Sequence, residues 1–245
     1  MDIIEMLAKR AGITAAKAEA GFYERVKKED VIGSIDHTLL SGTASPEEII
    51  NLCEEAVENQ FAGVCIYPAW VPLAREVLQD KPQKICTVVA FPSGALPAVL
   101  KAKEIEWARE NGADEVDVVL NIVNILKNDK KALLEELKTL REAAGDICLK
   151  AIIETNLLTN HQKAMCVTLA EEARIDYIKT GTGEKGPVTF FDVAFLKSLT
   201  SDSSGLKIKA AGGIRSMKAA EILVALGASR LGTSKALELL SSRQC

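Results

Sequence analysis

Ile147-Cys148-Leu149-Lys150-Ala151-Ile152-Ile153-Glu154, Tyr177-Ile178-Lys179-Thr180 and Leu206-Lys207-Ile208-Lys209-Ala210-Ala211 are three short, largely apolar runs, each of strand length. Between them, Asn160–Ala173 and Phe190–Leu199 carry apolar residues at helical spacing. Strand, helix, strand, helix, strand in one continuous stretch marks parallel strands covered by helices. Such strands are buried on both faces, so they read as apolar runs rather than as in–out alternation.

The pattern continues in both directions. Further strands are expected at Val31–Asp36, Gly63–Tyr67, Lys84–Phe91, Glu115–Leu120 and Ser229–Gly232. Further helices are expected at Pro46–Asn59 (with Ser45 as N-cap), Val71–Leu78, Leu96–Asn111, Lys130–Ala143, Met217–Leu226 and Lys235–Leu240. Eight strands alternating with helices predict an α/β fold, the (β/α)8 or TIM barrel. A doubly wound open sheet fits less well, because no Gly-x-Gly-x-x-Gly follows the first strand. Residues 1–30 read as an N-terminal helical extension, with Ile3, Ile4, Leu7 and Ala11 on one face, that either plugs the barrel bottom or meets a partner subunit. Residues 31–245 make the barrel, and with no linker in between, 1–245 is expected to be a single domain.

Composition removes several function classes. A net charge of −4 with 4% aromatic residues argues against a nucleic-acid surface. The start Met1-Asp2-Ile3-Ile4-Glu5 places acids where a signal peptide needs bases, so none is expected, and no run approaches the length of a membrane span. Six scattered cysteines without Cys-x-x-Cys read as reduced thiols, which predicts a cytoplasmic protein. Two histidines, His37 and His161, leave little for a histidine-based metal site.

In a barrel the chemistry gathers at the C-terminal ends of the strands, so polar residues in apolar strands are the signal. Alternation puts Glu115 and Asp117 on one side of the fourth strand, Lys150 and Glu154 on one side of the fifth, and Lys179 and Lys209 on one side of the next two. A buried lysine needs a partner or must give up its charge. Lys179 is the best nucleophile, with Lys209 one strand over as the cation that lowers its pKa towards roughly 7–8. The bland alternative is an internal salt bridge between Lys179 and Asp117. Asp36, ending the first strand, is either catalytic or a structural acceptor. His37 points the other way, and Cys65 reads as a small buried hydrophobe. Gly212-Gly213 and Gly232-Thr233-Ser234 are either a phosphate cradle, with donors added by Thr182-Gly183, or plain turns.

At these positions the sequence resembles the deoxyribose-phosphate aldolase family. The segments that carry the resemblance run in order over residues 31–234: Ile35-Asp36-His37-Thr38-Leu39-Leu40, Val64-Cys65-Ile66-Tyr67-Pro68, Val89-Ala90-Phe91-Pro92-Ser93-Gly94, Ala113-Asp114-Glu115-Val116-Asp117, Leu149-Lys150-Ala151-Ile152-Ile153-Glu154-Thr155, Ile178-Lys179-Thr180-Gly181-Thr182-Gly183, Lys209-Ala210-Ala211-Gly212-Gly213-Ile214-Arg215 and Arg230-Leu231-Gly232-Thr233-Ser234. The resemblance implies a class I aldolase without metal or organic cofactor, acting on small aldehydes and sugar phosphates as a homodimer. It implies Lys179 as the Schiff-base lysine, Lys209 as the lysine that tunes it, and Asp117 as the acid working with them. It also implies a substrate pocket of Asp36, Thr38, Cys65, Lys150 and Thr182, and a phosphate site of Gly183, Gly212, Gly213, Gly232 and Ser234. The sequence departs from the family habit at Glu184, with Lys185 as the compensating cation, at Lys235 in place of a second serine, and at Cys245, where some members end in tyrosine. The competing expectations are a sugar-phosphate isomerase using Asp117 or Glu154 as base, and a non-catalytic sugar-phosphate-binding barrel.

Overall fold

The computed structural model describes residues 2–201 and 203–241. Its strands are β1 (Ile35–Leu39), β2 (Gly63–Ile66), β3 (Lys84–Val89), β4 (Glu115–Val119), β5 (Cys148–Ile152), β6 (Tyr177–Lys179), β7 (Lys207–Ala211) and β8 (Arg230–Thr233). All neighbours are parallel, and β8 pairs with β1, so the sheet closes into the (β/α)8 barrel expected from the alternation. The helices are α1 (Ile3–Glu19), α2 (Lys28–Ile32), α3 (Pro46–Glu58), α4 (Val71–Val77), α5 (Ala98–Glu110), α6 (Ile122–Leu126), α7 (Lys130–Ala144), α8 (Asn160–Glu172), α9 (Phe190–Leu199), α10 (Met217–Ala225) and α11 (Ala236–Ser241). Among the described residues no helix is long and apolar enough to cross a membrane.

The sheet separates two apolar regions. Val64, Ile85, Val116, Leu149, Ile178, Ile208 and Leu231 face outward into one continuous core shared with the helices. Inside the barrel, Cys65, Cys86 and Val88 form a small cluster of their own, topped by Leu40, Tyr67 and Phe91. The rest of the interior mixes charged side chains with Val119, Ile152 and Tyr177, which share their inward parity.

Local signals place the boundaries. Ser45 caps α3 as expected, in a reciprocal box: its hydroxyl accepts from Glu48 N, and Glu48 Oε2 accepts from Ser45 N at 2.8 Å. The first strand begins later than the predicted Val31, because Lys28–Ile32 is a helical turn ended at Gly33. Thr38 consequently lies within β1. The face expected of α1 is the packed one at Ile4, Leu7 and Ala11, and it departs from expectation only at Ile3. Ala8, Ala11, Ala15 and Ala18 are buried while Ile3 is 64% exposed, since small residues let α1 lie close along α9 and α8. The extension therefore rests on the outer helix ring and not across the barrel bottom.

One buried ion pair fixes the chain just beyond β4. Lys101 of α5 and Glu136 of α7 meet at 2.6 Å. Lys101 also donates to Val119 O at 2.7 Å, and Glu136 accepts from Asn121 N. Removing one partner strands the other charge in the core. Lys101→Met is expected to destabilise the protein by about 3–5 kcal/mol in urea unfolding, with part of the loss recovered in Lys101→Met/Glu136→Leu. A single-variant loss below about 1 kcal/mol would contradict this account of the pair.

Candidate active site

Strand register builds the site. Asp117 lies beside Lys150 across the β4–β5 pair, Lys179 beside Lys209 across β6–β7, and Lys209 beside Arg230 across β7–β8. Alternation turns all of them inward. Asp117, fully buried, is the common acceptor. Its Oδ2 accepts from Lys179 Nζ and from Lys209 Nζ, both at 2.7 Å, and its Oδ1 accepts from Lys150 Nζ at 2.9 Å. The salt bridge weighed as the bland alternative for Lys179 is thus present, in a form shared by three lysines.

The surrounding charges complete the network. Lys209 also donates to Asp36 Oδ2 at 2.5 Å. Arg230 spans two acids, reaching Asp36 Oδ1 at 2.7 Å and Glu115 Oε1 at 2.9 Å, while Lys150 reaches Glu115 Oε2 at 2.5 Å. Burial works against the charged form of Asp117, but Lys150, Lys179 and Lys209 overcome it and hold the carboxyl well below the usual carboxylate range. Burial likewise opposes charge on Lys209 and Lys150. Asp117 and Asp36 outweigh it at Lys209, and Asp117 heads the groups that do so at Lys150, so both pKa values are raised well above the ordinary lysine value.

Above this layer, at the C-terminal rim, a cavity of about 360 Å³ opens. Thr38, Lys179, Thr182, Gly183, Gly212, Gly213, Gly232 and Ser234 of the expected residues line it. Asp36, Cys65, Asp117, Lys150 and Lys209 lie beneath, each essentially closed to solvent. Lys179, 4% exposed, is the only lysine on Asp117 that reaches the cavity; Lys150 and Lys209 are at 0%. A larger groove of about 900 Å³ outside the barrel shares Tyr67 and Phe91 with this cavity but contains none of the three.

Backbone geometry explains the glycines. Gly212 and Gly213 have φ of +109° and +69°, and a Cβ on Gly213 would sit 2.8 Å from Pro187 Cβ. Gly232 leaves room for the Lys209 stem, whose Cε would lie 3.3 Å from an added Cβ. The ends of β6 and β7 are tied by Thr180, whose hydroxyl donates to Ala211 O and accepts from Ala211 N. Glu154 is buried and spends Oε1 on Thr182 N at 2.7 Å, which orients the β6 loop; it does not line the cavity.

Other expectations fall out as follows. His37 faces outward as alternation required, with Nε2 2.7 Å from Glu55 Oε2 and its ring edge-on to Phe61. Glu184 lines the cavity, but Lys185 does not; Arg215 and Lys235 supply the cations there, Lys235 pairing with Glu238 at 2.6 Å. Cys245 lies outside the described residues. Arg230, Glu115 and Cys86 had no assigned role in the sequence reading. The inward parity of Glu115 and Arg230 was a usable signal, whereas a cysteine in an apolar strand carries none. Donor atoms of Cys65, Cys86 and Asp117 fall within 4.8 Å of one another, yet lysine ammoniums already occupy both oxygens of Asp117.

Comparison with known proteins places the chain in a family. The profile of the DeoC/LacD family aldolases matches residues 31–233. A deoxyribose-phosphate aldolase of Trichormus variabilis is 42% identical over 214 residues, covering 87% of this chain and 93% of its own length. One from Brevibacillus brevis is 41% identical over 208 residues, covering 84% and 93%. A tetrameric deoxyribose phosphate aldolase structure from Aeropyrum pernix superposes with a TM-score of 0.81 at 30% identity, covering 94% of this chain and 96% of that one. The chain belongs to the DeoC/LacD aldolase family, and with it to the carbon–carbon lyases.

The depressed pKa of Asp117 has a signed consequence for stability. A group ionised more readily when folded contributes fully above its unfolded pKa of about 3.9 and loses that contribution as pH falls towards its folded value. Asp117→Asn is therefore expected to lower Tm most at neutral pH, with a penalty that shrinks below about pH 4. An equal penalty at pH 7 and at acid pH would contradict the assignment.

Proposed function

We propose that this aldolase cleaves 2-deoxy-D-ribose 5-phosphate to acetaldehyde and D-glyceraldehyde 3-phosphate, reversibly, through a Schiff base on Lys179. The single observation that carries this reading is the position of Lys179: it alone among the lysines on Asp117 borders the cavity, while its two companions are sealed beneath. A carbonyl that reaches the floor of the cavity meets one of the three amines on Asp117.

In the cleavage direction Lys179 Nζ adds to the C1 carbonyl of the open-chain sugar phosphate. The carbinolamine loses water to give an iminium, which is the electron sink for breaking the C2–C3 bond. The C3 hydroxyl gives up its proton as glyceraldehyde 3-phosphate leaves, the two-carbon enamine takes up one proton in return, and hydrolysis returns acetaldehyde and the amine. Asp117, which bridges Lys179 and Lys209, takes the proton that Lys179 gives up before it attacks and passes it to the departing hydroxyl. Lys209 remains charged through its two acids, which places a fixed cation beside the reacting amine. The backbone amides at Gly183, Gly212, Gly213, Gly232 and Ser234 take the phosphate, with Arg215 and Lys235 as side-chain cations. The same reading has the enzyme working as a cytoplasmic homodimer in deoxyribonucleoside breakdown, with exposed Val99, Leu100 and Trp107 of α5 as the candidate subunit contact.

Incubation with acetaldehyde followed by borohydride is expected to leave a two-carbon adduct on Lys179, mapped by peptide mass; an unmodified protein would sink the proposal. Lys179→Ala should lower kcat about a thousandfold or more, and Lys209→Arg should keep more activity than Lys209→Leu. Equal loss in both Lys209 variants would oppose a mainly electrostatic role. At the rim, Glu184→Lys replaces an acid facing the phosphate site by a cation. It is expected to lower KM for the phosphorylated substrate roughly threefold to tenfold, with no such gain for an unphosphorylated aldehyde. An unchanged ratio between the two substrates would place the phosphate elsewhere.

A further inference from the structure

Two thiols inside the barrel have no part in the chemistry just described. Cys65 of β2 and Cys86 of β3 are direct cross-strand partners in register, and both point inward. Paired residues on adjacent strands are separated by about 4.8 Å, within the Cα range that a disulfide spans. Their sulfurs lie within 4.8 Å of each other, and Cys86 Sγ donates to Asp117 Oδ1 at 3.1 Å and accepts from Lys150 Nζ at 3.3 Å. Leu40, Tyr67 and Phe91 rest on the cysteines and also line the catalytic cavity, so the pair lies one side-chain layer below its floor.

We propose that Cys65 and Cys86 are a peroxide-sensitive pair that closes to an intramolecular disulfide and switches the site off reversibly. The neighbouring Cys86 thiol leads the influences that lower the Cys65 pKa. Burial opposes it and Lys209 assists, so Cys65 is the attacking sulfur; Cys86, raised by burial, is the resolving thiol. The Cys65 thiolate attacks one oxygen of hydrogen peroxide, the O–O bond breaks, and the leaving hydroxide takes up the proton that Cys65 had released, leaving a sulfenic acid and one water. The Cys86 sulfur then attacks the Cys65 sulfur. The S–O bond breaks, and the leaving hydroxide takes the Cys86 proton, by way of Asp117, as a second water. Two thiols and one peroxide give one disulfide and two waters.

Closing the bond draws Cys86 away from Asp117 and Lys150, and so disturbs the carboxylate that holds Lys179 and Lys209. A shift of about 1 Å there is enough for a roughly hundredfold loss of rate. The cross-link itself does not depend on the Schiff-base reading, so the test reads it separately.

The purified protein is treated with hydrogen peroxide, mapped without reduction by tandem mass spectrometry, and assayed before and after dithiothreitol. The expected result is a Cys65–Cys86 linked peptide, a mass lower by two hydrogens, and a loss of aldolase activity that dithiothreitol restores. Cys86→Ser, compared with its own untreated activity, should instead accumulate oxidised Cys65 that forms no link. The native-protein map decides the matter even if that variant folds poorly. The proposal is overturned if peroxide leaves no Cys65–Cys86 link, if Cys65 passes only to sulfinic or sulfonic acid, or if Cys86→Ser is inactivated and restored just as the native protein is.

Discussion

A single buried carboxylate, Asp117, accepts hydrogen bonds from three lysines that arrive on three different strands. Any one of these charges would be very unfavourable in a closed barrel on its own. Together they form a lattice in which every ammonium faces a carboxylate, extended by Asp36, Glu115 and Arg230 to six of the eight strands. The geometry depends on closure of the sheet. Asp36 on β1 meets Lys209 on β7 only because β8 pairs with β1, and Gly232 in β8 leaves the gap through which the Lys209 stem passes. Fold and site are therefore one construction.

The lattice also distinguishes three chemically similar side chains. Among the described residues it holds Asp36, Glu115 and Asp117 against Arg230, Lys150, Lys209 and Lys179, three acids against four bases. Lys150 and Lys209 each touch two carboxylates and lie sealed in the interior. Lys179 touches one and borders the cavity. The base in excess of the acids is thus the one with access to a substrate. Catalysis by amine addition needs such an asymmetry: an anchored cation next to an amine less committed to its partner.

Much of this was legible in the chain. Period-two alternation gave the inward side of Asp117, Lys150, Lys179 and Lys209 correctly and turned His37 outward, because strand parity depends only on local geometry. The order of strands and helices was sufficient for the barrel. Other features depended on contacts that sequence spacing does not encode. The bridging role of Arg230 requires knowing that β8 lies beside β1, and Cys86 became visible only once β2 and β3 were placed in register. The face of α1 was legible through Ile4, Leu7 and Ala11, but Ile3 stays exposed and alanines set the close approach to α9. Lys185 looked like the natural balance for Glu184, yet the cations at the rim come from the β7 and β8 loops, far away in sequence.

The central claim is that the Asp117 lattice stays intact while Lys179 alone reacts. A crystal structure of the protein reduced with borohydride in the presence of acetaldehyde tests it most directly. The account predicts continuous density from Lys179 Nζ into a two-carbon group in the cavity, with Lys209 still bound to Asp36 and Asp117. Density continuing from Lys150 or Lys209 instead, or Lys209 displaced from both acids, would contradict it.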